Sequence, residues 1–162
     1  MTRTDRFEKL FKFDHWAGSL AVESAAGVPE GNRGDARYGR ALEILAHIQV
    51  AKRVWLDRIQ GVPLAEKMEW FPRWSVDECR EKAKQNDEKW AAFLAGLGEA
   101  DLDRDVTYQS SEGVGYTSTI DEILTHVVNH GTYHRGQVAR LVTECAGKRA
   151  STDYIAFTRR TG

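Results

Sequence analysis

The chain has 162 residues, of which 41% are apolar and 29% charged, and its 23 Lys plus Arg stand against 24 Asp plus Glu for a formal net charge of −1. Length and composition fit one globular domain over residues 1–162 and exclude a disordered tail. The charge balance gives no basic footprint for nucleic acid, and no run of about 18 apolar residues exists to cross a membrane. The first residues enter a charged amphipathic pattern without the apolar stretch of a signal peptide. Cys79 and Cys145 stand alone, far apart and outside any Cys-x-x-Cys spacing, so both are expected to be free buried thiols in a reducing cytoplasm.

In chain order, four segments carry the spacing of amphipathic helices. The first spans about Asp5 to Ala26, with Phe7, Leu10, Phe11, Trp16 and Leu20 on one stripe, and Gly27 and Pro29 end it. The second spans Ala36 to Gln60, with Tyr38, Ala41, Leu45, Ile48, Trp55 and Ile59 in step. Gly61-Val62-Pro63 stops it. A loop with Trp70, Phe71, Pro72 and Trp74 follows, for which a lid over a cavity, a dimer contact and core packing are all open. Ser75-x-x-Glu78 is a capping box that opens a third helix, with Cys79, Ala83, Trp90, Phe93 and Leu97 inward and a stop at Gly96 to Gly98. Val106-Thr107-Tyr108 and Val114-Gly115-Tyr116 flank Ser111-Glu112-Gly113, the pattern of a short hairpin. A second capping box, Thr119-x-x-Glu122, opens a fourth helix from Ile120 to about Ala146, with Gly147 as the stop. Its stripe is Ile120, Ile123, Leu124, Val127, His134, Val138 and Leu141. A short helix or turn closes the sequence at Thr152 to Thr158. Four such helices read as an all-α four-helix bundle.

Three of the five histidines lie on the fourth helix as His126-x3-His130-x3-His134. Residues four apart are neighbours on a helix, and two imidazoles at that spacing can converge on one ion. All three cannot, because His126 and His134 are about 12 Å apart along the axis. One adjacent pair is therefore the candidate, with a third ligand from a facing helix. His47, flanked by Ile44, Ile48 and Ala51, fits that place, and His15 beside Trp16 competes with it. For His15 or His126 alone, a hydrogen-bonded core or packing role is the simpler reading.

The run His126-Val-Val-Asn-His130-Gly-Thr-Tyr-His134-Arg-Gly-Gln137 resembles the signature of the DinB/YfiT-like family of bacterial proteins. Phe13-Asp14-His15-Trp16-Ala17 resembles the family's first-helix element, with His15 where Asn is more usual. Leu45-Ala46-His47-Ile48 followed by Trp55 resembles its second-helix histidine element. The resemblance implies a bundle with up-down-down-up connection and often a homodimer. It also implies one divalent transition metal, nickel or zinc before iron or manganese, held by His47, His130 and His134. His126 then falls one turn from the site. Relatives named for a DNA-damage-inducible gene include transferases and isomerases that use small thiols such as bacillithiol, mycothiol or glutathione.

Three neutral imidazoles leave a divalent ion's charge uncompensated and at least one coordination position open, which favours hydroxide or thiolate there. The expected activity is metal-dependent transfer of a low-molecular-weight thiol onto a small electrophile. A metal-dependent hydrolase and a non-enzymatic metal-binding stress-response protein are the alternatives. Tyr133, Arg135 and Gln137 neighbour the ligands. Asp14 and Glu43 are the available carboxylates, with a surface role expected for both. No general base is identified.

Overall fold

The architecture comes from a computed structural model, which describes residues 1–65, 67–110 and 112–160. It is all-helical apart from one small two-stranded sheet. Helix α1 (Arg3–Ala26) starts earlier than the apolar pattern suggests. The Thr2 hydroxyl accepts from the Asp5 N–H while the Asp5 carboxylate accepts from the Thr2 N–H, so Asp replaces Glu in a capping box. Helix α2 (Ala36–Gln60) ends on Gly61 in the left-handed region at φ 69°. Helices α3 (Val76–Ala95) and α4 (Ile120–Glu144) open on the two capping boxes read from the sequence.

Helix α4 stops before the expected Ala146. That residue takes the left-handed turn itself at φ 58°, and the Gly147 N–H bonds the Val142 carbonyl. Gly147 is needed for close approach, since a Cβ there would lie 2.8 Å from both Val142 Cγ1 and Val28 Cγ2. Strands β1 (Asp105–Gln109) and β2 (Gly115–Thr119) form the hairpin, with Tyr108 opposite Tyr116. Ser111 of the expected turn lies outside the described residues. Short helix α5 (Tyr154–Thr158) lays Tyr154 and Phe157 against Phe13, and Phe157 against Trp16.

Side-chain contacts give the helix directions. Phe11 meets Trp90, His15 meets Asp87 and Glu23 meets Arg80, so α1 and α3 run antiparallel. His47 meets His134 and Trp55 meets His126, so α2 and α4 do too. The Cys79 thiol meets the Leu42 carbonyl, Asn86 meets Gln49 and Trp90 meets the Lys52 carbonyl, so the consecutive helices α2 and α3 run parallel. The chain must therefore return along the bundle between them. At about 3.3–3.6 Å per extended residue, the connection 61–75 is long enough to do so. Its course carries Trp70 and Phe71 past the middle of α2.

The apolar interior is divided into two halves. One contains Phe7, Phe11, Ala17, Ile59, Trp90, Leu94, Ile120, Ile123, Leu124, Val127 and Val128. The other contains Ala21, Ala25, Tyr38, Leu45, Cys79, Val138 and Val142. Between them lies a polar layer to which each long helix contributes. Asp14 on α1 accepts from Arg135 on α4 at 2.5 Å and from the Lys52 ammonium on α2 at 2.9 Å. Lys52 also donates to Asp87 on α3 at 2.7 Å, and Asn86 donates to Gln49 beside it. Asp14, Lys52 and Arg135 are each 3% exposed or less, so the expected surface role for Asp14 does not hold. Arg135, not His134, continues the buried stripe of α4. Gly131 makes room for the layer, because a Cβ there would meet Asp14 Oδ1 at 2.5 Å.

Burial pushes the Asp14 carboxyl up, but Lys52 and Arg135 outweigh it and hold it below its ordinary range. Burial likewise lowers Lys52, and Asp14 and Asp87 more than restore it. The depressed carboxyl contributes stability above its unfolded pKa of about 3.9, lost as pH falls through the lower folded value. The raised ammonium contributes below about 10.4, lost as pH climbs through the higher folded value. Between those limits the layer's contribution is flat with pH. Asp14→Ala should cost about 3–5 kcal/mol in urea unfolding at pH 7, because it leaves buried Arg135 without a carboxylate and removes one of the two that hold Lys52. A loss below about 1 kcal/mol, the range of an exposed pair, would show that the layer is not structural.

Candidate metal centre

The three histidines singled out by the resemblance converge. His47 on α2 and His130 and His134 on α4 each offer a ring nitrogen, and these atoms lie within 4.8 Å of one another. His47 Nε2 is 3.1 Å from His130 Nε2. Two donors bound at about 2.0–2.1 Å to one tetrahedral or octahedral ion are roughly 2.9–3.4 Å apart, so the separation suits a shared cation. All three rings are half-buried. They sit beside the polar layer, where Arg135 faces inward and its neighbour His134 faces the α2 side.

Ring orientation is set from outside the cluster. A carbonyl can only accept, so the 2.9 Å bond from His47 Nδ1 to the Trp70 carbonyl puts the proton on Nδ1 and the lone pair on Nε2. His134 Nδ1 donates to Gln137 Oε1 at 2.9 Å with the same consequence. Such partners hold a metal-ligating imidazole in the right tautomer. Phe71 stacks on the His47 ring at 4.1 Å and 10°, and the Arg40 guanidinium lies 4.5 Å above Phe71. The crossing connection thus clamps His47 by a carbonyl and by a ring.

Burial, and after it His134, His47 and His126, together bring the His130 ring down to about 3. Burial is also the main cause that lowers His47. Both rings are neutral near pH 7, the form that binds a metal.

The remaining candidates divide. His126 is exposed, its ring edge against Trp55 and 5.6 Å from His130, and it does not join the cluster. His15 is on the far side of the polar layer, bonded through Nδ1 to Asp87. Gln137 serves His134, Arg135 serves Asp14, and Tyr133 is 67% exposed with its ring 5.0 Å from that of His134. Glu43 is half-buried and pairs with Arg40 and Arg73. Trp74 packs on the second half of the core. Cys79 and Cys145 are free and buried, and burial raises the Cys79 thiol to about 12. Sequence reasoning missed the Trp70 carbonyl, which has no side-chain signature. It also missed Lys52, whose position among Ile48, Ala51 and Leu56 on a buried helix face was the available signal.

The sequence profile of the DinB family matches residues 4–161. The chain belongs to the DinB family. It is 24% identical over 156 residues to the protein DinB of Bacillus subtilis (strain 168), with 90% of each chain covered. No solved structure matches it. The family match spans α1 through α5, so the converging histidines and the helices that hold them fall inside it.

The donor set is three nitrogens and, among the described residues, no carboxylate or thiol. Protein purified without a metal-affinity column should therefore carry about one divalent ion per chain. His47→Ala and His134→Ala should lose most of it by elemental analysis, and His126→Ala should keep it. Full retention in both ligand variants would show that the ion sits elsewhere.

Proposed function

We propose that this DinB-family protein is a metal-dependent transferase that activates a low-molecular-weight thiol for attack on a small electrophile. The observation that carries the reading is the all-imidazole cluster, with His47 and His134 fixed to present Nε2. A divalent ion held there, nickel or zinc in the first instance, would supply double positive charge that favours an anionic partner and lowers the pKa of a bound thiol. Imidazole suits both metals, and the affinity order alone does not choose between them.

The chain's own residues hold and shape the centre. Phe71, 36% exposed, and Tyr133 stand beside the cluster and supply aromatic surface next to the ligands. Access from solvent supports an enzyme over a closed binding protein, since the three ligands are half-buried and not sealed by core side chains. In the reaction the thiol gives up its proton to solvent, its sulfur forms a bond to the electrophilic carbon, and the leaving group departs with the electron pair of the bond that breaks. The same proposal places the protein in the cytoplasm as a homodimer, in keeping with its two free buried thiols. Light scattering that finds only monomer at every concentration would remove the dimer.

Holo protein should accelerate transfer from at least one of bacillithiol, mycothiol, glutathione or coenzyme A to a model electrophile near pH 7. A free thiol of pKa about 8.5 is mostly protonated there. The rate should vanish on metal removal and in His134→Ala. If no thiol perturbs the spectrum of the cobalt-substituted centre at millimolar concentration, the thiol reading fails. Ester or amide hydrolysis then becomes the assay, and a non-enzymatic metal-binding stress-response role the reading left if that also fails.

A further inference from the structure

Beyond the metal centre, a cavity of about 830 Å³ lies between the end of α2, the crossing connection and the hairpin. That volume is in the range of small-molecule sites. Trp70, Thr107, Tyr108, Ser110 and Gly115 contribute to its wall, and Arg58 is the one charged residue among the described residues that line it. The Arg58 guanidinium is held between two rings, 4.5 Å from Trp55 and 4.8 Å from Tyr108, and one terminal nitrogen donates to the Gln109 carbonyl at 2.7 Å. Its Nε is buried without a partner among the described residues, and no carboxylate among them pairs with it. A half-buried cation with no counter-ion among the described residues is open to an anionic partner, whereas the fully buried Arg135 has Asp14.

We propose that this cavity binds a small organic molecule through a carboxylate, with Arg58 as the anchor. A single clamped guanidinium matches the single charge of a carboxylate, and leaves the nearly double charge of a phosphate monoester half-compensated. The hydroxyl-bearing residues Thr107 and Ser110 add hydrogen-bonding capacity to the wall, and Leu64 and Met68 add apolar surface. Arg58 is roughly 16 Å along α2 from His47, and His47, His130 and His134 are not among the residues that line the cavity. Trp70 is common to both, lining the cavity and holding His47 through its carbonyl. The inference does not depend on the thiol chemistry.

The test uses the full-length metal-loaded protein and nitrogen-15 NMR, with the monocarboxylate butyrate, its neutral methyl ester and inorganic phosphate as probes. Butyrate at millimolar concentration should shift the Arg58 Nε–H and Trp70 indole signals, the ester should not, and phosphate should act more weakly. Arg58→Gln should weaken butyrate roughly tenfold or more, as expected for loss of a charge-assisted contact. Because that change also removes the ring stacking, Arg58→Lys is the second variant, which keeps the positive charge and loses the planar stacking. It should retain more butyrate binding than Arg58→Gln and leave the metal content unchanged. No shift at tens of millimolar butyrate, equal shifts from all three probes, unaltered binding in Arg58→Gln, or equal loss in the two variants would overturn the proposal.

Discussion

One carboxylate, Asp14, holds two cations at the centre of the molecule, and through them it joins all four long helices. Arg135 arrives from α4 and Lys52 from α2, and Lys52 passes the connection to Asp87 on α3. An apolar core specifies volume but tolerates sliding of one helix along another by a turn. A buried ion-pair layer does not, because any shift leaves a charge stranded in low dielectric. The layer therefore fixes the axial register of the bundle, with the two apolar halves supplying the bulk of the burial on either side. Gly131 shows the constraint at atomic scale, since the Asp14–Arg135 pair occupies the space where a Cβ would be.

Register is what brings the histidines together. His47 and His134 reach one another across α2 and α4 only when those helices are held within a fraction of a turn, and Lys52 and Arg135 pin the same two helices close by. The parallel course of α2 and α3 adds the second element. It obliges the chain to travel back along the bundle, and the returning segment places a carbonyl and a phenyl ring on His47. The centre is thus preorganised by features built for other reasons, a register lock and a crossing connection. Its donor set, three imidazoles and, among the described residues, no anion, follows from the residue types that the register assembles.

Much of this was legible in the sequence. The capping boxes at Ser75 and Thr119 gave two helix starts to the residue, and Gly61 gave the end of α2, because these signals act locally through backbone donors and φ. The third box, Thr2 with Asp5, was missed for lack of the usual Glu. Gly147 was taken as the helix stop, whereas packing against Val28 and Val142 is what requires a glycine there. At the centre, spacing alone reduced α4 to a choice between adjacent histidine pairs, and the resemblance selected His130 and His134. Asp14 and Arg135 were assigned to the surface or left open, since a charge on a helix reveals its burial only when its partner on another helix is known. Asp87 and the Trp70 carbonyl were invisible for the same reason, and Lys52 showed only its place on a buried helix face: each matters through a contact of long sequence separation.

X-ray absorption spectroscopy on protein purified without a metal-affinity column tests most directly whether the three histidines hold an ion. The account predicts a shell with three imidazole nitrogens at about 2.0–2.1 Å, no sulfur from the buried cysteines, and a light atom in the open position. A shell containing sulfur, or one unchanged in a His130→Ala variant, would contradict it.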